Sequence, residues 1–227
     1  VNSATVEAYK ITLANGCHLR IRPLRSGEDG AVRELFARLS LPTRYLRFFL
    51  PVPVLSESLL RLLADVDDPR RIALVAESGD AGGGDVVALG NVGPTDDGRG
   101  ELGLVVADAW QRQGIGTALA NRLLQAADAR GYRRFVVHSL AANPALRPLL
   151  SHIAEVVSTT TRYGVSEVAF IRRRPVEVAA AAFRYFVEAT IEGEAAYNAS
   201  RKHRKPMMPA RDLLEQAYER ILAKGDS

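Results

Sequence analysis

Apolar positions change period several times along the first half of the chain, and each change marks an element. Residues 9–13 and 18–24 are short runs of β-prone types, and Asn15-Gly16 between them is a strong hairpin signal. Helical spacing takes over at Ala31, Val32, Leu35, Phe36 and Leu39, with Ser26 placed to cap that helix and Pro42 to break it. Two further helical pieces are expected at 45–50 and 55–66, the second capped by Ser56.

Three apolar runs follow, at 71–77, 85–92 and 100–107. Glycine-rich and polar clusters at 79–84 and 94–98 supply turns between them, so the three read as an antiparallel meander. The period then returns to helical over 114–130, with Ile115, Leu119, Leu123, Ala126 and Ala127 on one face and Gly131 as the stop. A strand is expected at 134–140, a short helix containing Pro148 at 143–153, and weaker strands at 155–160 and 165–172. Beyond Pro175 the pattern is helical at 176–191 and 209–223, around a polar, basic stretch at 192–206. The chain therefore reads as an α/β domain, residues 1–174, with a helical arm, residues 175–227. No internal repeat or long low-complexity segment interrupts it.

Composition narrows the class. With 227 residues, 47% hydrophobic and 25% charged, the chain can bury a core without cross-links. Cys17 is its one cysteine, so neither an intrachain disulfide nor a Cys/His zinc pattern can form, and a reducing cytoplasm is the expected compartment. His18 and His152 have no spaced partners, so no metal is expected. The net charge of +4 is a mild bias towards anionic partners. No apolar run approaches the roughly 18–20 residues that span a bilayer, and no signal-peptide pattern is present, so no membrane partner is expected.

The stretch that carries chemistry runs from Glu101 to Thr117: Glu-Leu-Gly-Leu-Val-Val-Ala-Asp-Ala-Trp-Gln-Arg-Gln-Gly-Ile-Gly-Thr. A strand enters a tight loop containing Gln111-x-x-Gly114-x-Gly116, and a helix begins at once. Glycines let the backbone turn sharply and approach a ligand, and the free N–H groups at a helix start form an anion site. The dinucleotide pattern G-x-G-x-x-G is absent, and no Gly-Lys-Ser/Thr follows as in a P-loop.

The segment resembles the coenzyme-binding motif of the GNAT acyltransferases, Gln/Arg-x-x-Gly-x-Gly/Ala after a strand. The order of elements over residues 10–172 is similar to theirs as well. Arg20-Ile-Arg-Pro23, the segment from Leu39 to Phe49, and the run Asp108-Ala-Trp-Gln-Arg-Gln-Gly look like the subgroup of protein lysine acetyltransferases related to those acting on acyl-CoA synthetases. The resemblance implies a GNAT fold, a mixed and mostly antiparallel central sheet flanked by helices. It implies acetyl-CoA as acyl donor and a primary amine as acceptor. Protein lysine leads, with a polyamine, amino acid or antibiotic as the enzymatic alternative and a non-catalytic acyl-CoA-sensing module as the rival. It also implies how the coenzyme sits. The backbone of Leu104, Val105 and Val106 would pair with the pantetheine amides. Gln111, Arg112, Gln113, Gly114, Ile115, Gly116 and Thr117 would take the pyrophosphate, and Asn143 and Arg147 would contact the far side of the coenzyme.

Acyl transfer from a thioester needs a neutral amine, a hydrogen-bond donor for the oxyanion, and a departing thiolate. A lysine amine has a solution pKa near about 10.4, so a general base is useful. Glu101 matches the Glu at the head of this strand in the lysine acetyltransferase subgroup, and it shares a face with Gly103 and Val105. It is the expected base; Asp108, at the loop, is expected to cap or orient it. Many GNAT enzymes carry a Tyr seven residues after the Asn, where it protonates the thiolate; Leu150 stands there in this chain.

Other residues receive structural readings. His138 could reach the cleft where two strands splay but is read first as a structural histidine, and Trp110 is read as a packing anchor. The basic run at 201–205 lacks interleaved aromatics and reads as a solvated linker, with no nucleic-acid partner. The apolar stripes of the arm need a partner, and the arm is expected to pair two copies as a homodimer or to clamp the acceptor cleft, the dimer leading because it buries both stripes at once.

Overall fold

Eight strands form one sheet in the computed structural model, which describes residues 7–79 and 83–173. The expected arm at 175–227 and its basic run lie outside the described residues. In chain order the strands are β1 (Tyr9–Thr12), β2 (His18–Pro23), β3 (Ile72–Ser78), β4 (Val86–Pro94), β5 (Gly100–Val106), β6 (Phe135–Leu140), β7 (Ala154–Arg162) and β8 (Val165–Arg172). Their spatial order is β1-β2-β3-β4-β5-β6-β8-β7. Every neighbouring pair is antiparallel except β5 with β6.

Helices cover both faces. On one, α1 (Asp29–Arg38) and α3 (Glu57–Ala64) lie over the sheet, with Val32, Leu35, Phe36, Leu60 and Leu63 packed on Ala73, Val75, Leu89 and Val105. On the other lie α4 (Ile115–Ala129) and α5 (Leu146–Ile153), where Leu119, Leu123, Leu124 and Ile153 meet Leu74, Ala88, Leu102 and Phe135. Alternation along each strand feeds both cores, which explains the continuous apolar runs of β3 and β4.

Two helix boundaries differ from expectation. Ser26 does not cap α1; its N-cap is Glu28, whose carboxylate instead accepts from Arg22 Nη1 at 2.7 Å and from the Arg25 N–H at 2.9 Å. Pro42 does not act as a breaker between helices. It occupies the first turn of α2 (Leu41–Phe48), where its missing N–H costs nothing, and Ser40 is the N-cap. Strand β7 also runs longer than the expected 155–160, reaching Arg162 through a bulge between Val156 and Ser158.

Candidate active site

Strands β5 and β6 pair only at Gly100 with Phe135 and at Glu101 with Val136, then part. On its other side β5 stays in unbroken register with β4 from Gly100 to Val106. Backbone parity follows from the two ends. The Gly100 N–H donates to Arg134 O at 3.0 Å on the β6 side, and the Ala107 N–H donates to Val87 O at 2.8 Å on the β4 side. Because these groups alternate, Leu102, Leu104 and Val106 turn their amides to the gap, whereas Val105 turns its own to β4. The expected trio of Leu104, Val105 and Val106 thus splits.

The loop at the open end of the gap is short and tightly turned. Arg112 and Gly114 both have positive φ, 59° and 84°. Gly114 is the N-cap of α4, and a side chain in that left-handed conformation would be strained. The N–H groups of the first turn of α4, including Ile115, Gly116 and Thr117, have no partner within the helix and face the loop end. The Ile115 side chain is buried in the core, so only its backbone can address a ligand. Gln111 Nε2 donates to Val106 O at 3.0 Å and to Thr43 Oγ1 at 3.2 Å. Gln113 Nε2 donates to Ala109 O at 3.0 Å, and its Oε1 accepts from Asn15 Nδ2 at 3.1 Å, so the β1–β2 turn braces the loop. Open amides along the gap and a dipole-positive helix start at its mouth fit an extended coenzyme that ends in a pyrophosphate.

Asp108 faces α2 rather than the gap. Its Oδ1 accepts from the Ser40 and Thr43 hydroxyls at 2.6 and 2.7 Å, and its Oδ2 accepts from the Ser40 N–H at 2.8 Å. Burial alone would raise its pKa, but these donors outweigh it and hold the carboxyl below its ordinary value. Trp110 packs against both cores, at the end of β5.

On the α2 face of the sheet, Glu101 marks the point where the strands part. Its Oε1 lies 2.9 Å from His138 Nδ1, and His138 Nε2 lies 3.3 Å from Glu167 Oε2. Glu167 Oε1 accepts from Arg99 Nη1 at 2.9 Å, and Arg99 Nε donates to Asp97 Oδ2 at 2.7 Å. The Arg99 guanidinium, and after it the His138 ring, hold the Glu167 carboxyl below its ordinary range. Since the imidazole lies between Glu101 and Glu167, the three groups do not converge on a point; among the described residues no cluster is placed to hold a metal. Arg47, from α2, donates to Asn91 Oδ1 at 3.1 Å and lies across Gly103, where an added Cβ would overlap the guanidinium. Burial lowers its pKa and the Glu101 carboxylate opposes that shift.

The far side of the gap is more local. Asn143 Nδ2 donates to Ser139 Oγ at 2.9 Å and its Oδ1 accepts from the Ala145 N–H at 3.0 Å, so the side chain organises the approach to α5. Arg147 is exposed in the first turn of α5. Leu150 is 6% exposed and belongs to the core under α4 and α5. Sequence reasoning missed Arg47, Ser40 and Thr43, and it set the His138 contact aside. A glycine inside a strand, as at position 103, was the available signal for a close approach.

Residues 39–152 match the model of the acetyltransferase (GNAT) family. An acetyltransferase of Pseudomonas aeruginosa, PA5475, is 32% identical over 139 residues, covering 61% of this chain and 75% of that protein. The GNAT domain of S. lividans PAT superposes with a TM-score of 0.64 at 24% identity, over 72% of this chain and 96% of that one. The putative acetyltransferase yncA of Salmonella typhimurium, whose structure contains acetyl-CoA, gives a TM-score of 0.52 at 20% identity, over 67% and 91% of the respective chains.

Proposed function

The chain belongs to the GNAT acetyltransferase family and is an acetyl-CoA-dependent N-acetyltransferase; from that premise we propose that its acceptor is a protein lysine, acetylated by direct attack within a ternary complex. The place of Glu101 carries this reading. An exposed carboxylate stands at the last residue of β5 that pairs with β6, on the face that the gap leaves open to α2.

Bound acetyl-CoA supplies a thioester carbonyl for the amine to attack. The gap-facing amides of Leu102, Leu104 and Val106 align the extended arm as a neighbouring strand would, and one of those N–H groups donates to the oxygen that gathers negative charge. The first turn of α4, with Gln111 to Thr117, holds the pyrophosphate, and Asn143 and Arg147 border the same gap. Glu101 takes a proton from the incoming ammonium. Strand rise puts it roughly 17 Å from Val106, in keeping with a thioester at the apex and phosphates at the mouth. A polypeptide acceptor is favoured over a small amine because Leu41 and Tyr45, one helical turn apart on α2, are 66% and 46% exposed beside this face.

Incubation with acetyl-CoA and lysine-bearing proteins, followed by mass spectrometry, tests the acceptor; acetylation of polyamines or amino acids alone would refute it. Glu101→Gln should lower turnover by roughly 10²–10⁴-fold while acetyl-CoA affinity stays near wild type. Unchanged turnover at neutral pH would return Glu101 to a structural role. The apolar stripe Ala179, Phe183, Phe186 and Val187 supports an arm at 175–227 that pairs two copies, and light scattering before and after truncation at residue 174 reads this directly.

A further inference from the structure

The assignment of Glu101 as base leaves unexplained why its carboxylate touches an imidazole that is itself held from behind. We propose that Glu101 and His138 work as one proton-accepting pair, with His138 as a positioning residue set by Glu167 and Arg99; this rests on the reading of Glu101 given above.

The geometry supplies the argument. His138 and Glu167 are directly opposed across β6 and β8, so their contact is fixed by strand register. Arg99 donates to Glu167 Oε1 and is itself anchored by Asp97, which keeps Glu167 ionised and acceptor-only. A neutral imidazole has one N–H and one lone pair. The Glu167 carboxylate, paired with Arg99, draws the N–H to Nε2, which leaves the Nδ1 lone pair facing Glu101 Oε1 at 2.9 Å. That short contact becomes a hydrogen bond only when a proton occupies it. The pair is therefore built to receive one.

The other charges around it do not disturb this assignment. From α2, Arg47 draws on Glu101 but donates to Asn91. Arg44 is turned to the carbonyls of Leu39 and Pro53. On β7 the residue opposite Glu167 is the uncharged Thr160.

Protons balance as follows. An ammonium acceptor, R–NH3+, gives one proton to the space between Glu101 Oε1 and His138 Nδ1 and becomes R–NH2. Its nitrogen forms the amide bond as the carbon–sulfur bond breaks, and the second proton leaves with the sulfur as thiol. The pair then releases its proton to water, which reaches it because the two side chains are 51% and 34% exposed.

Two measurements test this. The first is the pH profile of thiol release from acetyl-CoA with Nα-acetyl-lysine amide as acceptor, for wild type, Glu101→Gln, His138→Gln and His138→Ala. Both His138 variants should bind acetyl-CoA as wild type does, lose about tenfold or more in turnover, and show the acid limb displaced to lower pH, because a lone carboxylate is a weaker base. If Glu101→Gln is slow while the His138 variants keep the wild-type limb and rate, the pair is refuted and the Glu101 assignment survives. If Glu101→Gln is as fast as wild type, both fall. The second needs no turnover: nitrogen NMR of the imidazoles, with His138→Gln assigning the signal. The proton should reside on Nε2 in the neutral ring of the wild type, and that preference should weaken in Glu167→Gln. A neutral ring protonated on Nδ1 would overturn the proposal.

Discussion

Replacing Asp108 by alanine strikes the joint between α2 and the loop from Gln111 to Thr117. The carboxylate gathers the Ser40 N–H and the hydroxyls of Ser40 and Thr43, and Thr43 Oγ1 in turn accepts from Gln111 Nε2. Losing an N-terminal acceptor of this kind costs about 1–2 kcal/mol, and the exposure of Asp108 argues for the lower half of that range. For a domain of this size the melting temperature should fall by about 2–6 °C. Acid supplies a second signature. The folded pKa of Asp108 lies below its unfolded value near about 3.9, so its contribution is complete above that pH and is lost as pH falls through the folded value. Thermal melts of wild type and Asp108→Ala between neutrality and pH 3 should differ at pH 7 and converge below about pH 4. Equal melting temperatures at pH 7, or a gap that persists unchanged to pH 3, would refute the reasoning. Turnover assays add a functional check, since a loosened α2 should raise the acceptor KM more than it weakens acetyl-CoA binding.

Gly114→Glu should abolish acetyl-CoA binding measured by calorimetry, because it puts a side chain at φ 84° and a negative charge at the phosphate end of α4; a folded variant of wild-type affinity would move the coenzyme elsewhere. Leu150→Tyr should destabilise by about 1–3 kcal/mol without raising turnover, since that position lies in a filled core. A stable variant with faster thiol release would show that the position reaches the departing sulfur.

Sequence patterns that repeat locally were readable, and contacts made across the sheet were not. Glycine and proline clusters marked the β3–β4–β5 meander because turn chemistry is local, and Ser56 was readable as a cap because its partner, the Leu59 N–H, lies three residues on. The loop from Gln111 to Thr117 was likewise legible, since a strand, two glycines and a helix are adjacent in the chain. Pro42 misled because the same residue can end one helix or begin the next; Ser40 ahead of it and Thr43 behind it distinguish the two only once Asp108, 65 or more residues away, is in place. His138 meets Glu101 from 37 residues away, through a parallel pairing that spans only two positions, and no periodicity reports such a contact. Parity along β5 was hidden for the same reason: alternation was evident, but which set faced the gap depended on the neighbours of Gly100 and Ala107.

The site owes its position to the one exception in the sheet. An antiparallel neighbour could follow β5 through a tight turn, whereas a parallel neighbour requires a crossover, supplied here by α4. That crossover must start at the C-terminal end of β5, so a helix N-terminus and its unpaired N–H groups arrive at that end by topology. Right-handed twist then favours divergence where pairing is short, and β5 and β6 hold only at their first residues. The divergence frees amides along one strand and opens the α2 face beside them. A coenzyme with phosphates at one end and a reactive carbonyl at the other is matched to such a gap, with its charge at the mouth and its chemistry at the apex. The apex is where Glu101 stands, and the register that pairs Glu101 with Val136 also brings His138, two residues further along β6, beside its carboxylate. A shift of one residue in that two-pair register would turn the His138 side chain to the opposite face of the sheet, so the Glu101–His138 contact depends on the shortest pairing among the described strands.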